Sequence, residues 1–208
     1  MKNISKYFPG VKALDNVSFS VERGAVHGLV GENGAGKSTL MKILSGAYTS
    51  DCGEIIVDGE EIKDATPALM IEKGVAVIYQ ELMLLSHRTV AENIYLGRYP
   101  KNRFGKIDYK KMNEDADAVL KKLELELDPT AYIKDLSVAK RQMVEIAKAM
   151  SRDAKIIVLD EPTATLGDAE LEGLFRIVKS LSKNGITFIY ISHRLKEIFD
   201  LCKSLTIM

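Results

Sequence analysis

One stretch constrains the fold of this chain more than any other, and it reads Gly31-Glu32-Asn33-Gly34-Ala35-Gly36-Lys37-Ser38-Thr39. It fits the pattern G-x-x-x-x-G-K-[ST] of a loop that wraps nucleotide phosphates. The apolar residues 26–30 before it predict a buried strand, and residues 40–44 after it continue with helical spacing. The stretch is therefore predicted to lie at a strand-to-helix turn, the context in which such a loop binds phosphate.

The residue types of this phosphate loop account for the chemistry that we expect of it. Glycines let backbone N–H groups close on phosphate oxygens, and the N-terminus of the following helix adds the positive end of its dipole. Lys37 is predicted to reach the β- and γ-phosphates, and the Ser38 hydroxyl is predicted to ligate Mg²⁺. The loop therefore predicts a module that binds ATP with Mg²⁺ and hydrolyses the ATP. Its candidate contacts are Gly31, Asn33, Gly34, Gly36, Lys37, Ser38 and Thr39.

Composition limits the classes of partner. The chain has 208 residues with 29 basic and 29 acidic side chains, so its net charge of zero gives no global electrostatic case for nucleic acid. Cys52 and Cys202 lie far apart without C-x-x-C spacing, so neither a disulfide framework nor a zinc site is indicated. No apolar run approaches the ~20 residues that cross a bilayer, and residues 1–6 lack the apolar core of a signal peptide. We expect a soluble chain of one domain with a subdomain.

Apolar runs alternate with helical patterns along much of the chain. Three of the runs have the length and composition of buried strands, namely residues 75–79, 156–159 and 186–191. Strands that alternate with helices predict an α/β fold with a mostly parallel sheet. Residues 17–21 alternate apolar and polar side chains, and a turn joins them to residues 25–30. These two segments are expected to form an antiparallel edge.

The middle of the chain has a different pattern from its ends. Residues 80–151 contain helices and turns, including a capping box and a long charged helix. We therefore expect an ATP-binding core made of residues 1–79 and 152–208, with residues 80–151 inserted as a helical subdomain. Residues 205–208 have the character of one more strand, so the core is expected to be truncated at its C-terminus.

Polar side chains follow the three buried strands. Asp160 and Glu161 end one strand. Gln80 follows a second strand and His193 a third. Because ligands of an open α/β sheet lie at the carboxyl ends of its strands, these side chains are expected at the edge that carries the phosphate loop. One acid there can hold Mg²⁺ through water, while the second can polarise the attacking water. Gln80 taken alone is more typical of an ordinary loop residue, and His27 has no comparable position.

Ser137 precedes a strongly periodic helix and is a candidate N-cap. The N-terminus of a helix also attracts anions, so Ser137 and the N–H groups after it could bind phosphate. The pattern alone does not choose between a structural cap and a phosphate contact.

The ordered set of motifs resembles the nucleotide-binding domain of ABC transporters over nearly the whole chain. The motifs that carry this resemblance are the phosphate loop, Gln80, residues 136–140, Asp160-Glu161-Pro162-Thr163 and His193. Further segments look like the first ATPase domain of the tandem ATP-binding proteins of bacterial monosaccharide importers, and these are residues 8–14, 79–82, 142–146 and 190–194. The resemblance implies a RecA-like P-loop NTPase fold with an inserted helical subdomain.

The resemblance also implies a role for each matching position. Phe8, or Tyr7 as the second choice, would stack on adenine. Gln80 would sense the γ-phosphate and the membrane partner and reach the Mg²⁺ shell. Asp160 would bind Mg²⁺ through water, and Glu161 would be the general base.

Two such domains pair head to tail in the family, so Ser137 would contact the ATP held by the partner domain while His193 contacts the γ-phosphate in its own. The chain departs from the family pattern at two places. Lys140 and Arg141 put positive charge at a helix N-terminus, which opposes the helix dipole. Gly167 stands where the family generally has Asp.

These features predict an Mg²⁺-dependent ATPase that powers a monosaccharide importer from the cytoplasmic face of the membrane. Its expected partners are transmembrane permease subunits, a second ATPase domain and, indirectly, a solute-binding protein, but no nucleic acid. The candidate surface for the permease is apolar and consists of Leu82, Met83, Leu84, Leu85 and Tyr95, and the alternative is that these side chains pack within the helical subdomain. The alternatives are a soluble ABC ATPase that acts on ribosomes or DNA, and a nucleotide-binding fragment without turnover.

Overall fold

The computed structural model of the chain describes residues 1–163 and 166–208. These residues group into two compact units. The sheet unit contains Met1–Gln80, Ala154–Pro162 and Val178–Met208, and the helical unit contains Glu81–Asp153 and Thr163–Ile177. The segment Thr163–Ile177, which the sequence analysis places in the core, groups with the helical unit because most of its neighbours belong to that unit.

Strands and helices follow one another in the order expected of an α/β chain. The strands are β1 (Lys2–Phe8), β2 (Val11–Val17), β3 (Val26–Val30), β4 (Cys52–Val57), β5 (Glu60–Ile62), β6 (Val75–Ile78), β7 (Ile156–Asp160), β8 (Thr187–Ile191) and β9 (Ser204–Ile207). The helices are α1 (Lys37–Leu44), α2 (Pro67–Glu72), α3 (Val90–Ile94), α4 (Tyr109–Lys122), α5 (Val138–Met150), α6 (Asp168–Lys183) and α7 (Leu195–Leu201), with a 3-10 helix at Ile133–Asp135.

A five-stranded parallel sheet forms the centre of the sheet unit, in the order β6-β7-β8-β3-β9. Every residue of β8 is buried, as is the middle of β7, which agrees with the continuous apolar runs of these segments. The predicted α/β fold with a mostly parallel sheet is confirmed. The phosphate loop joins β3 to α1, so it lies at the carboxyl edge of this sheet.

The antiparallel strands form a separate four-stranded sheet in the order β2-β1-β4-β5. The predicted pairing of residues 17–21 with residues 25–30 is wrong, because β2 ends at Val17 and β3 pairs in parallel with β8 and β9. Phe19 is buried in an extended segment whose N–H donates to the carbonyl of Met1 (3.1 Å). Its burial, together with the bonds that its backbone exchanges with Met1 beside β1, produces the alternating pattern outside any regular strand.

The core of the sheet unit contains residues from both sheets and from α1. Ile4 of β1, Leu29 of β3 and Leu40 of α1 are all completely buried in it. Burial of a large aliphatic side chain is worth about 1.5–3 kcal/mol. The core therefore fixes the first turn of α1, and with it the end of the phosphate loop.

Capping residues begin the helices of the helical unit. In the predicted capping box, Thr89 Oγ1 accepts the Glu92 N–H (3.2 Å) and the Glu92 carboxylate accepts the Thr89 N–H (2.9 Å). Asp108 caps α4 and Ser137 caps α5. Within the part of the chain that the structure describes, no helix has both the length and the apolar character that a bilayer span requires.

Candidate functional site

The phosphate loop takes a backbone path that requires glycine. Gly34 (φ +87°) and Gly36 (φ +96°) are both in the left-handed region, and Gly36 immediately precedes α1. A Cβ on Gly36 would lie 2.5 Å from the carbonyl oxygen of Ala13, a distance that no side chain tolerates. The loop therefore keeps its backbone free of side chains at the N-terminus of α1, where an anion is favoured.

Lys37 closes the loop on itself. Its side chain is buried, and Nζ donates to the carbonyls of Gly31 (2.8 Å) and Glu32 (3.0 Å). Ser38 is exposed and Thr39 is half-buried beside it. Two carbonyls thus hold the ammonium at the loop, and a phosphate oxygen can replace them as a stronger, charged partner.

Asp160 ends β7 at the same edge of the sheet. The pKa of its carboxyl is raised, first because burial disfavours the charged form and second because Glu161 adds a negative charge. Lys37 and Lys42 act in the opposite direction. The positive charges nearby do not fully offset the burial of this carboxylate, so it is well suited to hold a cation.

Glu161 lies one residue beyond β7 and His193 two residues beyond β8, and their side chains come together. These strands are neighbours, and Asp160 is paired with Ile191. Glu161 has a left-handed backbone (φ +45°), and its N–H donates to the Ile191 carbonyl (3.0 Å). Its Oε2 lies 3.4 Å from His193 Nδ1, and its side chain is only 19% exposed against 61% for His193. The arrangement sets a carboxylate and an imidazole at one point of the edge, where both could act on a proton.

The turn that carries His193 is held by a buried carboxylate on α7. The Glu197 carboxylate accepts hydrogen bonds from Tyr190 Oη (2.9 Å), Ser192 Oγ (2.8 Å) and Arg194 Nη1 (3.0 Å). Glu197 is 3% exposed, so these bonds are shielded from water. The sequence analysis missed this residue, although a Glu four residues after the candidate His193 is a visible signal.

Phe8 and Tyr7 stand at the end of β1 with accessible rings. Phe8 packs edge-on against Tyr48, with ring centroids 5.7 Å apart, and Lys6 Nζ lies 5.7 Å from the Phe8 ring. The Tyr7 ring is in turn contacted by Lys12. Both rings remain partly exposed and could stack on a planar ligand. No sequence pattern links Tyr48 to Phe8, so this neighbour was not predictable.

Two candidate site residues, Gln80 and Ser137, have no described hydrogen bond to the other candidates. Gln80 is exposed and lies two residues beyond β6, and among the described residues no hydrogen bond connects it to the other candidates. Ser137 belongs to the helical unit, where its hydroxyl accepts the Lys140 N–H (3.4 Å) as the N-cap of α5.

Arg141 is engaged within the helical unit. Its guanidinium donates to the carbonyls of Ile133 (3.1 Å) and Lys134 (3.0 Å) of the 3-10 helix. Its positive charge therefore pairs with carbonyls of the 3-10 helix, which accounts for Arg141 but not for the exposed Lys140. At the other, the Gly167 N–H donates to the Glu170 carboxylate (3.2 Å).

Comparison with solved structures supports this architecture. The chain matches a nucleotide-free ATP-binding cassette from an ABC transporter with a TM-score of 0.88 and 31% sequence identity. The match covers 100% of this chain and 85% of the cassette.

Comparison of sequences identifies the family. The chain is 51% identical over 215 residues to the xylose import ATP-binding protein of Thermoanaerobacter pseudethanolicus, covering 100% of this chain and 41% of that protein. It is 50% identical over 207 residues to the arabinose import ATP-binding protein of Vibrio parahaemolyticus, covering 99% of this chain and 40% of that protein. The chain thus spans about two fifths of the length of these relatives. The family model for ABC transporters matches residues 14–164, and the chain belongs to that family.

Proposed function

We propose that this chain is an ATP-binding and ATP-hydrolysing domain that powers the import of a monosaccharide. The observation that carries the proposal is the shielded Glu161 carboxylate, 3.4 Å from His193, on the sheet edge that also carries the phosphate loop. The names of the relatives, which import xylose and arabinose, support the substrate class.

The residues at the edge fit Mg²⁺. The Ser38 hydroxyl and the Asp160 carboxylate are the hard oxygen ligands that Mg²⁺ prefers. The described residues contain no group of three or more His, Cys, Asp or Glu side chains that could hold a metal. Mg²⁺ is typically held by one or two protein oxygens and by phosphates, and Gln80 would be a further ligand. Bound Mg²⁺ would neutralise negative charge on the phosphate oxygens.

Each side chain at the edge then has a distinct task. Lys37 exchanges its two carbonyl partners for phosphate oxygens. Glu161 accepts the proton of the attacking water, because its carboxylate is largely shielded from solvent and lies at the sheet edge that carries the phosphate loop. His193 donates to the γ-phosphate. Phe8 stacks on the adenine, and the N–H groups around Gly34 bind phosphate oxygens.

The partners follow from the same proposal. Two ATPase domains pair head to tail, so that Ser137 and the N-terminus of α5 from one domain face the phosphate loop of the other. Permease subunits bind this pair at the cytoplasmic face of the membrane, where the protein is peripheral, and a solute-binding protein acts indirectly through them. No nucleic acid takes part.

Replacement of Glu161 tests the assignment. In Glu161→Gln the amide keeps the size of the side chain but cannot accept the proton, so turnover should fall by about 10²–10⁴ while ATP binding persists. Phosphate release and calorimetric titration with Mg-ATP measure the two properties separately. Glu54→Gln, which changes an exposed carboxylate of β4, is the matched control and should leave both unchanged. Normal turnover in Glu161→Gln would place the base elsewhere.

A further inference from the structure

Residues 100–107 of the helical unit form a short closed hairpin, which we call the basic hairpin. Its two ends pair as an antiparallel bridge between Lys101 and Ile107. Asn102 closes the tip, because its side-chain Oδ1 accepts the Phe104 N–H (2.9 Å) as well as a second N–H of the turn (3.2 Å). The conformation of the hairpin is therefore set by its own hydrogen bonds and does not need a partner.

The tip presents an aromatic ring to solvent. Phe104 is 72% exposed, and the Arg103 guanidinium lies over its ring, 4.7 Å from the centroid. Gly105 (φ +76°) completes the turn behind it, and its N–H donates to the Asn102 carbonyl (2.9 Å). A single exposed apolar side chain is ordinary in a folded protein. This one lies between cations in the sequence, namely Lys101 and Arg103 before it and Lys106 after it.

All charged side chains of the basic hairpin are positive. Lys101, Arg103 and Lys106 are all exposed, and residues 100–107 contain no carboxylate, although the whole chain has a net charge of zero. Lys110 and Lys111, in contrast, form ion pairs with acids one turn further along α4. Among the described residues, none of the three hairpin cations has a carboxylate within 4.0 Å. The hairpin is thus a local excess of positive charge with an aromatic ring at its end.

We propose that the basic hairpin rests on an anionic lipid surface, with Phe104 at the level of the headgroups and the three cations against lipid phosphates. Aromatic rings flanked by Lys and Arg are the combination that binds the interface of a bilayer. Each cation near an anionic surface strengthens binding by about five-fold, so the contact is weak and reversible. The chain belongs to a transporter family, so a bilayer lies within reach of its partners. The hairpin adds a direct contact with lipid to the contacts made through the permease.

Charge and shape favour lipid over nucleic acid. Single-stranded nucleic acid is bound by a charged groove lined with several stacking rings, whereas this hairpin presents one ring on a convex tip. The three cations are also confined to one tip, whereas nucleic-acid binding uses a stripe of basic side chains along a face or a helix.

Vesicle flotation of the whole chain tests the proposal. We expect the chain to float with phosphatidylglycerol–phosphatidylcholine vesicles, not to float with phosphatidylcholine alone, and to be released as the salt concentration rises. The double variant Arg103→Glu/Lys106→Glu should lose at least about 25-fold in binding, since each cation contributes about five-fold. Phe104→Ala should lose several-fold while keeping the charge. Arg103→Gln/Lys106→Gln should lie between the wild type and the charge reversal.

Variants of α7 provide the matched control. Phe199 is 74% exposed, much like Phe104, and Lys196 is exposed one turn before it. Phe199→Ala/Lys196→Glu should therefore float like the wild type, and thermal unfolding should show every variant folded. The proposal is overturned if the wild type does not float with anionic vesicles, or if the hairpin and α7 variants lose binding equally. It is also overturned if the hairpin variants instead lose salt-dependent binding to a single-stranded oligonucleotide. None of these readouts requires ATP hydrolysis, so they are independent of the role of Glu161.

Discussion

At the scale of single residues, the carboxyl edge of the parallel sheet combines two unfavourable features. Asp160 and Glu161 place two carboxylates side by side, and the backbone of Glu161 is in the left-handed region. A non-glycine residue in that region costs on the order of 1–3 kcal/mol and persists only where its surroundings hold it. Glu161, to which we assign chemistry, takes part in both features, as expected if stability is given up for function at that position.

Removal of the charge on Asp160 is expected to stabilise the fold. The pKa of this carboxyl is raised above its ordinary value of 3.8, so the folded chain binds the proton more tightly than the unfolded chain. The free energy of unfolding therefore falls as the pH rises from 3.8 through the raised value. Asp160→Asn should lack this loss and unfold at neutral pH with about 0.5–2 kcal/mol more stability.

Thermal unfolding at several pH values checks this expectation. The advantage of Asp160→Asn over the wild type should shrink as the pH is lowered, because the wild-type carboxyl then becomes neutral. The same variant should bind Mg-ATP more weakly. A variant that is less stable than the wild type at neutral pH would contradict the cause given for the pKa.

At the scale of elements, His27 joins the outer strand β9 to β3. Its two ring nitrogens bind the hydroxyls of Ser204 (2.8 Å) and Thr206 (2.9 Å), and its ring stacks on Phe19. Burial lowers the pKa of His27, because the charged form would lose its hydration. The neutral His27 ring therefore helps to hold β9 against β3.

The chain should lose stability as the pH falls below the ordinary histidine value of 6.5. Since the pKa of His27 is lowered in the fold, the unfolded chain binds more protons in this range, and the loss cannot exceed about 1.4 kcal/mol per pH unit. Urea unfolding at pH 7.5 and at pH 5.5, taken as roughly one unit on either side of that value, measures it. His27→Leu should be less stable at the higher pH but should show a smaller difference between the two. An equal difference in both proteins would assign the effect to other groups.

Some elements could be predicted from sequence and others could not, for physical reasons. The strands β6, β7 and β8 are continuous apolar runs because neighbours cover both of their faces. In β1, in contrast, only Ile4 and Ser5 are buried, so no apolar pattern marks it. The short α7 is not marked either, since few of its positions face the core. The convergence of Glu161 with His193 followed from the rule for strand ends, whereas the left-handed backbone of Glu161 depends on the hydrogen bond to Ile191 and has no signal in the residue type.

At the scale of the whole molecule, the proposed function requires two chains or two domains. The phosphate loop belongs to the sheet unit and Ser137 to the helical unit. In a head-to-tail pair, the phosphate loop of each domain would face Ser137 of the other domain. If Glu161→Gln blocks hydrolysis, bound ATP should keep such a pair together. Size-exclusion chromatography should then show dimers of Glu161→Gln that depend on ATP.

Ser137→Arg, added to Glu161→Gln, should abolish those dimers, because a large cation would take the place of the small N-cap hydroxyl at the start of α5. Ser180→Arg makes the same change at an exposed position of α6 and should leave the dimers intact. Persistent dimers in the Ser137→Arg double variant would show that the N-terminus of α5 does not form the second half of the site.

The close approach of Gly36 to Ala13 ties the phosphate loop to one fixed point on β2, whereas a side chain added at Gly10, in the turn between β1 and β2, would meet no neighbour. Related chains could therefore have a longer or shorter turn between β1 and β2. The residues that surround the nucleotide base would then differ from one chain to another. The register of β2 at Ala13 has no such freedom. Length variation in this hairpin should accordingly end abruptly on the turn side of Ala13, which an alignment of many relatives would reveal without any knowledge of their substrates.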